Sequence, residues 1–107
     1  MIQVTYHRRY NRVTVTGHAG SGPEGHDLVC SAVSALALTL AGNVQHLQAR
    51  GIVRDVVTDL TEGKAEIQCT AVSRYRATVE IICQTVCLGF ELLATKYPEN
   101  ISYEVMG

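Results

Sequence analysis

The sequence predicts an α+β domain in the order β-β-α-β-β-α-β: an antiparallel or mixed sheet covered by two helices on one face. Three observations carry this expectation. Apolar and polar residues alternate near the amino terminus and again over 64–71, which is the period of a strand with one covered face. Two longer segments, 28–48 and 74–97, lack that alternation and space their apolar residues for a helix. Turn and stop residues separate the units, with no linker, low-complexity tract or strong repeat between them. The 107 residues fit one domain, spanning 1–107.

Each element has its own signal. Over 2–8, Ile2, Val4 and Tyr6 face one way and Gln3, Thr5 and His7 the other. Val13 and Val15 continue the pattern over 12–16, and Tyr10-Asn11 between them suits a hairpin turn. Gly17, Gly20, Gly22, Pro23 and Gly25 mark a loop whose glycines favour mobility. Asp27 then reads as the N-cap of a helix that runs to about Gln48 and stops at Gly51, roughly five to six turns at 3.6 residues each. Apolar residues occur on most of its faces up to Val44, so burial on more than one side is expected. Residues 52–60 are rich in β-branched side chains, Thr61-Glu62-Gly63 reads as a turn, and Ala65, Ile67, Cys69 and Ala71 form one face of the next strand. Val79, Ile82, Cys83, Val86, Phe90, Leu93 and Tyr97 make the stripe of the second helix, which Pro98 ends. Ile101, Tyr103 and Val105 alternate as a last strand.

Composition narrows the function classes. The 9 Lys+Arg nearly balance the 10 Asp+Glu, and Trp is absent, so neither direct nucleic-acid binding nor attraction to an anionic membrane is expected. The amino terminus lacks the basic and apolar regions of a signal peptide, and the apolar run 28–40 is too short to span a bilayer. The expected location is cytoplasmic, where Cys30, Cys69, Cys83 and Cys87 stay reduced and are read one at a time. Cys69, Cys83 and Cys87 fall on apolar faces and read as core, while His7 and His46 read as surface residues.

The segment 17–30 carries the chemistry. With Asp27 as cap, Cys30 is the third residue inside the helix, where free N–H groups and the positive end of the dipole converge. That setting can lower a cysteine pKa from about 8.5 into a range of about 3.5–7.5. The same N–H groups would hold a tetrahedral oxyanion. His18, at a strand end, is the base expected to take the Cys30 proton and return it to the leaving amine; His26 competes. Asp27 caps the helix or orients the His18 imidazole. A buried core role for Cys30 stands against the catalytic one, and so does a zinc site of His18, His26 and Cys30, whose spacing matches no common motif and which lacks a fourth ligand. The small residues Ser31, Ala32, Ser34, Ala35 and Ala37 allow close approach of another backbone, and the apolar excess of both helices suits a homodimer.

At these residues the chain resembles the ribosomal-processing cysteine proteases, the Prp family of Firmicutes and related bacteria. The resemblance centres on Gly17-His18-Ala19 and on Gly25-His26-Asp27-Leu28-Val29-Cys30-Ser31-Ala32-Val33-Ser34-Ala35-Leu36, and extends loosely to Tyr97-Pro98-Glu99-Asn100-Ile101. It implies a homodimeric endopeptidase with Cys30 as nucleophile and His18 as base. It also implies a substrate loop of Gly20, Ser21, Gly22, Pro23, Glu24 and Gly25 that shifts on binding, and no metal or organic cofactor. The implied reaction removes the amino-terminal extension of a large-subunit ribosomal protein. A phage structural protein as substrate, or a non-enzymatic ribosome-assembly module, is the alternative. Leu28-Val29-Cys30-Ser31 stands where the family often has Ile-Val-Cys-Ala, and the loop lacks the aromatic residue of some relatives.

Overall fold

The computed structural model describes residues 1–17 and 23–107, the stretch 23–27 by its backbone alone. Five strands, β1 (Ile2–His7), β2 (Arg12–Thr16), β3 (Val53–Thr61), β4 (Lys64–Ala71) and β5 (Ile101–Met106), form one sheet with the order β3-β4-β2-β1-β5. The sheet is mixed: β5 runs parallel to β1, and the other three pairings are antiparallel. Two helices, α1 (Pro23–Ala49) and α2 (Arg76–Lys96), make the long connections, α1 from β2 to the outer strand β3 and α2 from β4 to the outer strand β5. The predicted class and element order hold.

Short turns set the register. Arg8–Tyr10 forms one 3-10 turn between β1 and β2, closed by Asn11 at φ 47, a left-handed conformation that Asn tolerates better than most residues. His7 then faces Arg12 and Val4 faces Val15, which puts Ile2, Val4, Tyr6, Val13 and Val15 on the helix side. Between β3 and β4 the turn is Glu62-Gly63, with Gly63 at φ 76. The β-branched run 52–60 shows no alternation because β3 is bulged. Arg54 and Val57 are three residues apart where their partners Thr70 and Gln68 are two apart, and Asp55 takes the extra position at φ 52. Beyond the bulge Thr58 and Leu60 lie opposite Ile67 and Ala65, on the helix side. A kinked edge strand of this kind pairs poorly with other chains.

Both helices lay a stripe on that side. Val29, Val33, Ala37, Leu40, Ala41, Val44 and Leu47 of α1, and Val79, Cys83, Cys87 and Phe90 of α2, are buried in a single cluster with the sheet residues. The helices meet at Gly89, where a Cβ would lie 2.9 Å from a Leu36 methyl. Burial of α1 on several sides, expected from its composition, does not occur within the chain: Leu28 and Leu38 are 59% and 60% exposed. The sheet and α2 reach only one side of α1, so the remaining apolar side chains are left at the surface. By length and composition alone, Leu28–Ala49 and Ser73–Lys96 would suffice to cross a membrane, the first being longer than the run 28–40 read from the sequence; here one stripe of each covers the sheet and the rest of each helix is not buried.

Three cysteines complete the core beneath α2. Cys69, Cys83 and Cys87 are each at most 2% exposed. The Cys83 thiol donates to the Cys69 sulfur, which lowers Cys69 and, with burial, pushes Cys83 far up. Burial pushes Cys87 up to about 11, although the Tyr103 hydroxyl donates to its sulfur. Burial likewise raises Tyr6 and Tyr103.

Two predictions follow from this packing. Gly17 sits at φ +94, and a Cβ there would overlap the Met1 carbonyl oxygen. Gly17→Ala is expected to destabilise the fold by more than the roughly 1–2 kcal/mol that the left-handed backbone alone costs, read as a lower urea midpoint. The second concerns alkali. Cys87 is raised from 9.0 to about 11, so between those values the folded chain holds a proton that the unfolded chain has lost. Stability is therefore full below pH 9 and falls as pH rises through 11, with Cys83, Tyr6 and Tyr103 acting in the same direction. Urea unfolding at pH 8, 10 and 11 measures it; a constant free energy across that range would contradict the assignment.

Candidate active site

A cleft of about 370 Å³ opens at the end of the sheet where β1 begins and β2 ends. Its floor is Ile2, Val15 and Ala65 on three adjacent strands. One wall is α1, through Cys30, Val33, Ser34, Ala37 and Leu38; the other is the β3–β4 turn from Leu60 to Lys64. Cys30 is half-buried on that wall, packed against the core, and its neighbours Val29 and Val33 (1% and 5% exposed) pin the helix beneath it. The nucleophile candidate therefore sits on a rigid element and faces an open, largely apolar cleft.

The route by which Cys30 was expected to be activated needs correction. The helix does not start after Asp27. It starts at Pro23, four residues earlier, so Asp27 is not the cap and Pro23, Glu24 and Gly25 belong to the first turn rather than to a loop. Proline suits the first helical position, because its φ is already helical and it has no N–H to leave unpaired. Gly25 inside the first turn costs only about 1 kcal/mol relative to alanine, too little to delay the start. Cys30 becomes the eighth residue of α1. The unpaired N–H groups belong to the first four positions of a helix and the dipole effect fades within the first turn, so neither reaches Cys30 directly.

The other sequence candidates divide by position. His18 and Gly20, Ser21 and Gly22 of the substrate loop lie outside the described residues, as do the side chains of His26 and Asp27. Of the zinc constellation, His18 and the His26 side chain lie outside the described residues and Cys30 within them. Among the described residues no group of three His, Cys, Asp or Glu side chains gathers as a metal site. Gly17, the chain neighbour of His18, is described: it lines the cleft with Cys30, and its N–H donates to the Gly63 carbonyl at 2.9 Å. That bond ties the end of β2 to the β3–β4 turn on the opposite wall.

Sequence reasoning missed most of the cleft lining. Ser34 and Leu38 follow Cys30 at four-residue steps and share its face of α1, so the helical period carried that signal. Leu60, Glu62 and Lys64 had no such signal, because only the hairpin pairing brings the turn opposite α1. The cleft thus offers a thiol in a lining that includes apolar Leu38 and Leu60 and charged Glu62 and Lys64. An open, largely apolar cleft beside a thiol can seat an extended peptide segment.

Comparison with known proteins agrees with this architecture. The model of the family described as cysteine protease Prp matches residues 1–102. No curated protein matches the chain. Among solved structures, SMU.848 from Streptococcus mutans is 28% identical, with a TM-score of 0.71 over 99% of this chain and 94% of that one. The ribosomal processing protease Prp of S. aureus, with a covalently linked product peptide, is 26% identical, with a TM-score of 0.66 over 97% of this chain and 96% of that one. A second S. aureus Prp structure, with a substrate peptide, shares the fold at 23% identity and a TM-score of 0.68, with the same coverage. A match over 102 of 107 residues, on a chain whose half-buried Cys30 faces an open cleft, places this protein in the Prp family of cysteine proteases.

Proposed function

We propose that this peptidase removes the amino-terminal extension of a large-subunit ribosomal protein during ribosome assembly, with Cys30 as nucleophile and His18 as general base and acid. The observation that carries the reading is the family match together with the seat of Cys30 in a peptide-sized cleft. The S. aureus relative, described as a ribosomal processing protease, has been seen with a covalently linked product peptide.

The chemistry is that of a thiol acyl transfer. His18 takes the Cys30 proton, and the sulfur attacks the scissile carbonyl carbon. The carbonyl π electrons move onto oxygen to give a tetrahedral intermediate. When that intermediate collapses, the C–N bond breaks and His18 protonates the leaving amine. Water, deprotonated by His18, then cleaves the thioester and frees Cys30. No metal or organic cofactor takes part in these steps. Support for His18 comes from Gly17, which precedes it and lines the same cleft. Asp27 keeps only its second suggested role, as an orienter of His18, and Gly20 to Gly25 remain the segment proposed to contact substrate.

The reading includes a homodimer in the cytoplasm. Leu28 and Leu38 on α1, and Ile81, Leu88 and Leu92 on α2, are all more than half exposed, and they are the side chains a second copy would cover. Light scattering behind size exclusion is expected to give twice the 11.6 kDa chain mass, and Leu38→Glu to lower it if α1 is the interface.

Cys30→Ala and His18→Ala are each expected to lower cleavage of a peptide spanning the extension junction by at least about 10³-fold while the circular dichroism spectrum stays unchanged. Retained cleavage by Cys30→Ala would remove the mechanism. Intact activity on a phage structural protein, with none on the ribosomal peptide, would keep the mechanism and change the substrate.

A further inference from the structure

The near-neutral net charge of −1 hides a segregation that only the fold creates. The chain has seven arginines, and all of them lie at the end of the sheet opposite Cys30. The register shows how. His7, at the end of β1, faces Arg12, which faces Gln68; Arg54 faces Thr70; all of these lie at the late end of β4. Arg8 and Arg9 leave β1 at that end. Arg50 follows α1 there, next to Ile52, whose carbonyl accepts from Val72 at 3.0 Å. Arg74 and Arg76 open the α2 connection. The Cys30 cleft lies at the other end of β4, roughly 20 Å away at about 3.3 Å per residue.

The acidic residues at the arginine end do not cancel it. Arg8 pairs with Glu80 at 3.1 Å, Arg12 with Glu66 at 2.7 Å, and Arg54 lies 3.9 Å from Asp55. Arg9, Arg50, Arg74 and Arg76 have no carboxylate partner among the described residues, and all four are exposed. Arg8, Arg9 and Arg76 line a cleft of about 530 Å³ whose other walls include Tyr10, Gln68, Thr70, Gly107 and the Arg8 partner Glu80, so Arg9 and Arg76 are its uncompensated charges among the described residues. Tyr10 is 57% exposed beside these guanidinium groups, and Arg74 lies over the ring of Tyr75, 5.0 Å from its centroid.

We propose that this arginine-rich end binds the phosphodiester backbone of single-stranded RNA. Guanidinium groups meet phosphate oxygens two at a time, which suits a site built from arginine without a single lysine. An exposed aromatic ring among them offers a base a face to stack on, as in sites that hold single-stranded nucleic acid. The site is remote from Cys30 and does not depend on the reading of that cleft. It runs against the expectation, drawn from net charge, that nucleic acid is not a partner, and the experiment below decides between the two.

The test is fluorescence anisotropy of a labelled 12-nucleotide single-stranded RNA titrated with the full chain. Saturable binding is expected in 50 mM salt. With four phosphates engaged, affinity should fall about 50-fold between 50 and 200 mM, a log–log slope near −3 at roughly −0.7 per phosphate. The double variant Arg9→Ala, Arg76→Ala should bind at least tenfold more weakly and lose about half of that slope. Tyr10→Ala should weaken binding about fivefold or more. Unlabelled polyglutamate of equal charge, or anionic phospholipid vesicles, should compete poorly. Absence of saturable binding, unchanged affinity in the variants, or competition by polyglutamate or vesicles equal to that of RNA would each overturn the proposal. All three substituted side chains are exposed, so thermal unfolding should confirm an unaltered fold.

Discussion

Burial of one side of a five-stranded sheet under two helices is the constraint from which the remaining features follow. Val13 and Phe90 are fully buried at its centre, Ile67, Ile101 and Cys83 are 1% exposed, and the cluster is continuous from β3 to β5. Removing a side chain such as Phe90 from a core of this kind costs about 3–5 kcal/mol, a large part of the stability of a chain this size. Because that layer is closely packed, α1 cannot shift or rotate freely, and Cys30 is held at the end of the sheet by the same contacts that bury Val29 and Val33. The position of Cys30 and the packing of the core are therefore one property of α1.

The two ends of the sheet carry different chemistry. At the start of β1 a thiol faces a mostly apolar cleft bounded by the β3–β4 turn, and the Gly17 to Gly63 hydrogen bond braces the strand that leads to His18. At the other end lie the arginines, with Tyr10 among them. Every chain reversal falls at one of the two ends of the sheet, and that makes this separation possible. A bulk property such as net charge averages over both and reports neither.

Much of this was legible in the residues. Period-two alternation located β1, β2, β4 and β5, because each buries one face; it failed for β3, where the bulge at Asp55 breaks the period. Helical spacing placed both helices within a few residues of their ends. The start of α1 was misplaced because Asp27 is a good cap in isolation, whereas Pro23 four residues earlier already suits a first helical turn. Of the site, Cys30 was found by its neighbourhood in sequence, but the mechanism attached to it depended on the helix start and changed with it. The opposite wall was not found, because Leu60 and Lys64 are about 30 residues from Cys30 and meet it only through strand pairing.

The sequence by itself determined the order of the elements and the one-sided burial of the sheet, and it singled out Cys30 as the candidate thiol. Period, turn residues and composition act over a few residues and need no partner. Tertiary structure alone decided the depth of Cys30 in its helix, the second wall of its cleft, the layer of raised thiols and phenols, and the gathering of seven arginines at one end. Each of these depends on which strand lies beside which, and that is set by burying the apolar faces of all five strands and both helices at once.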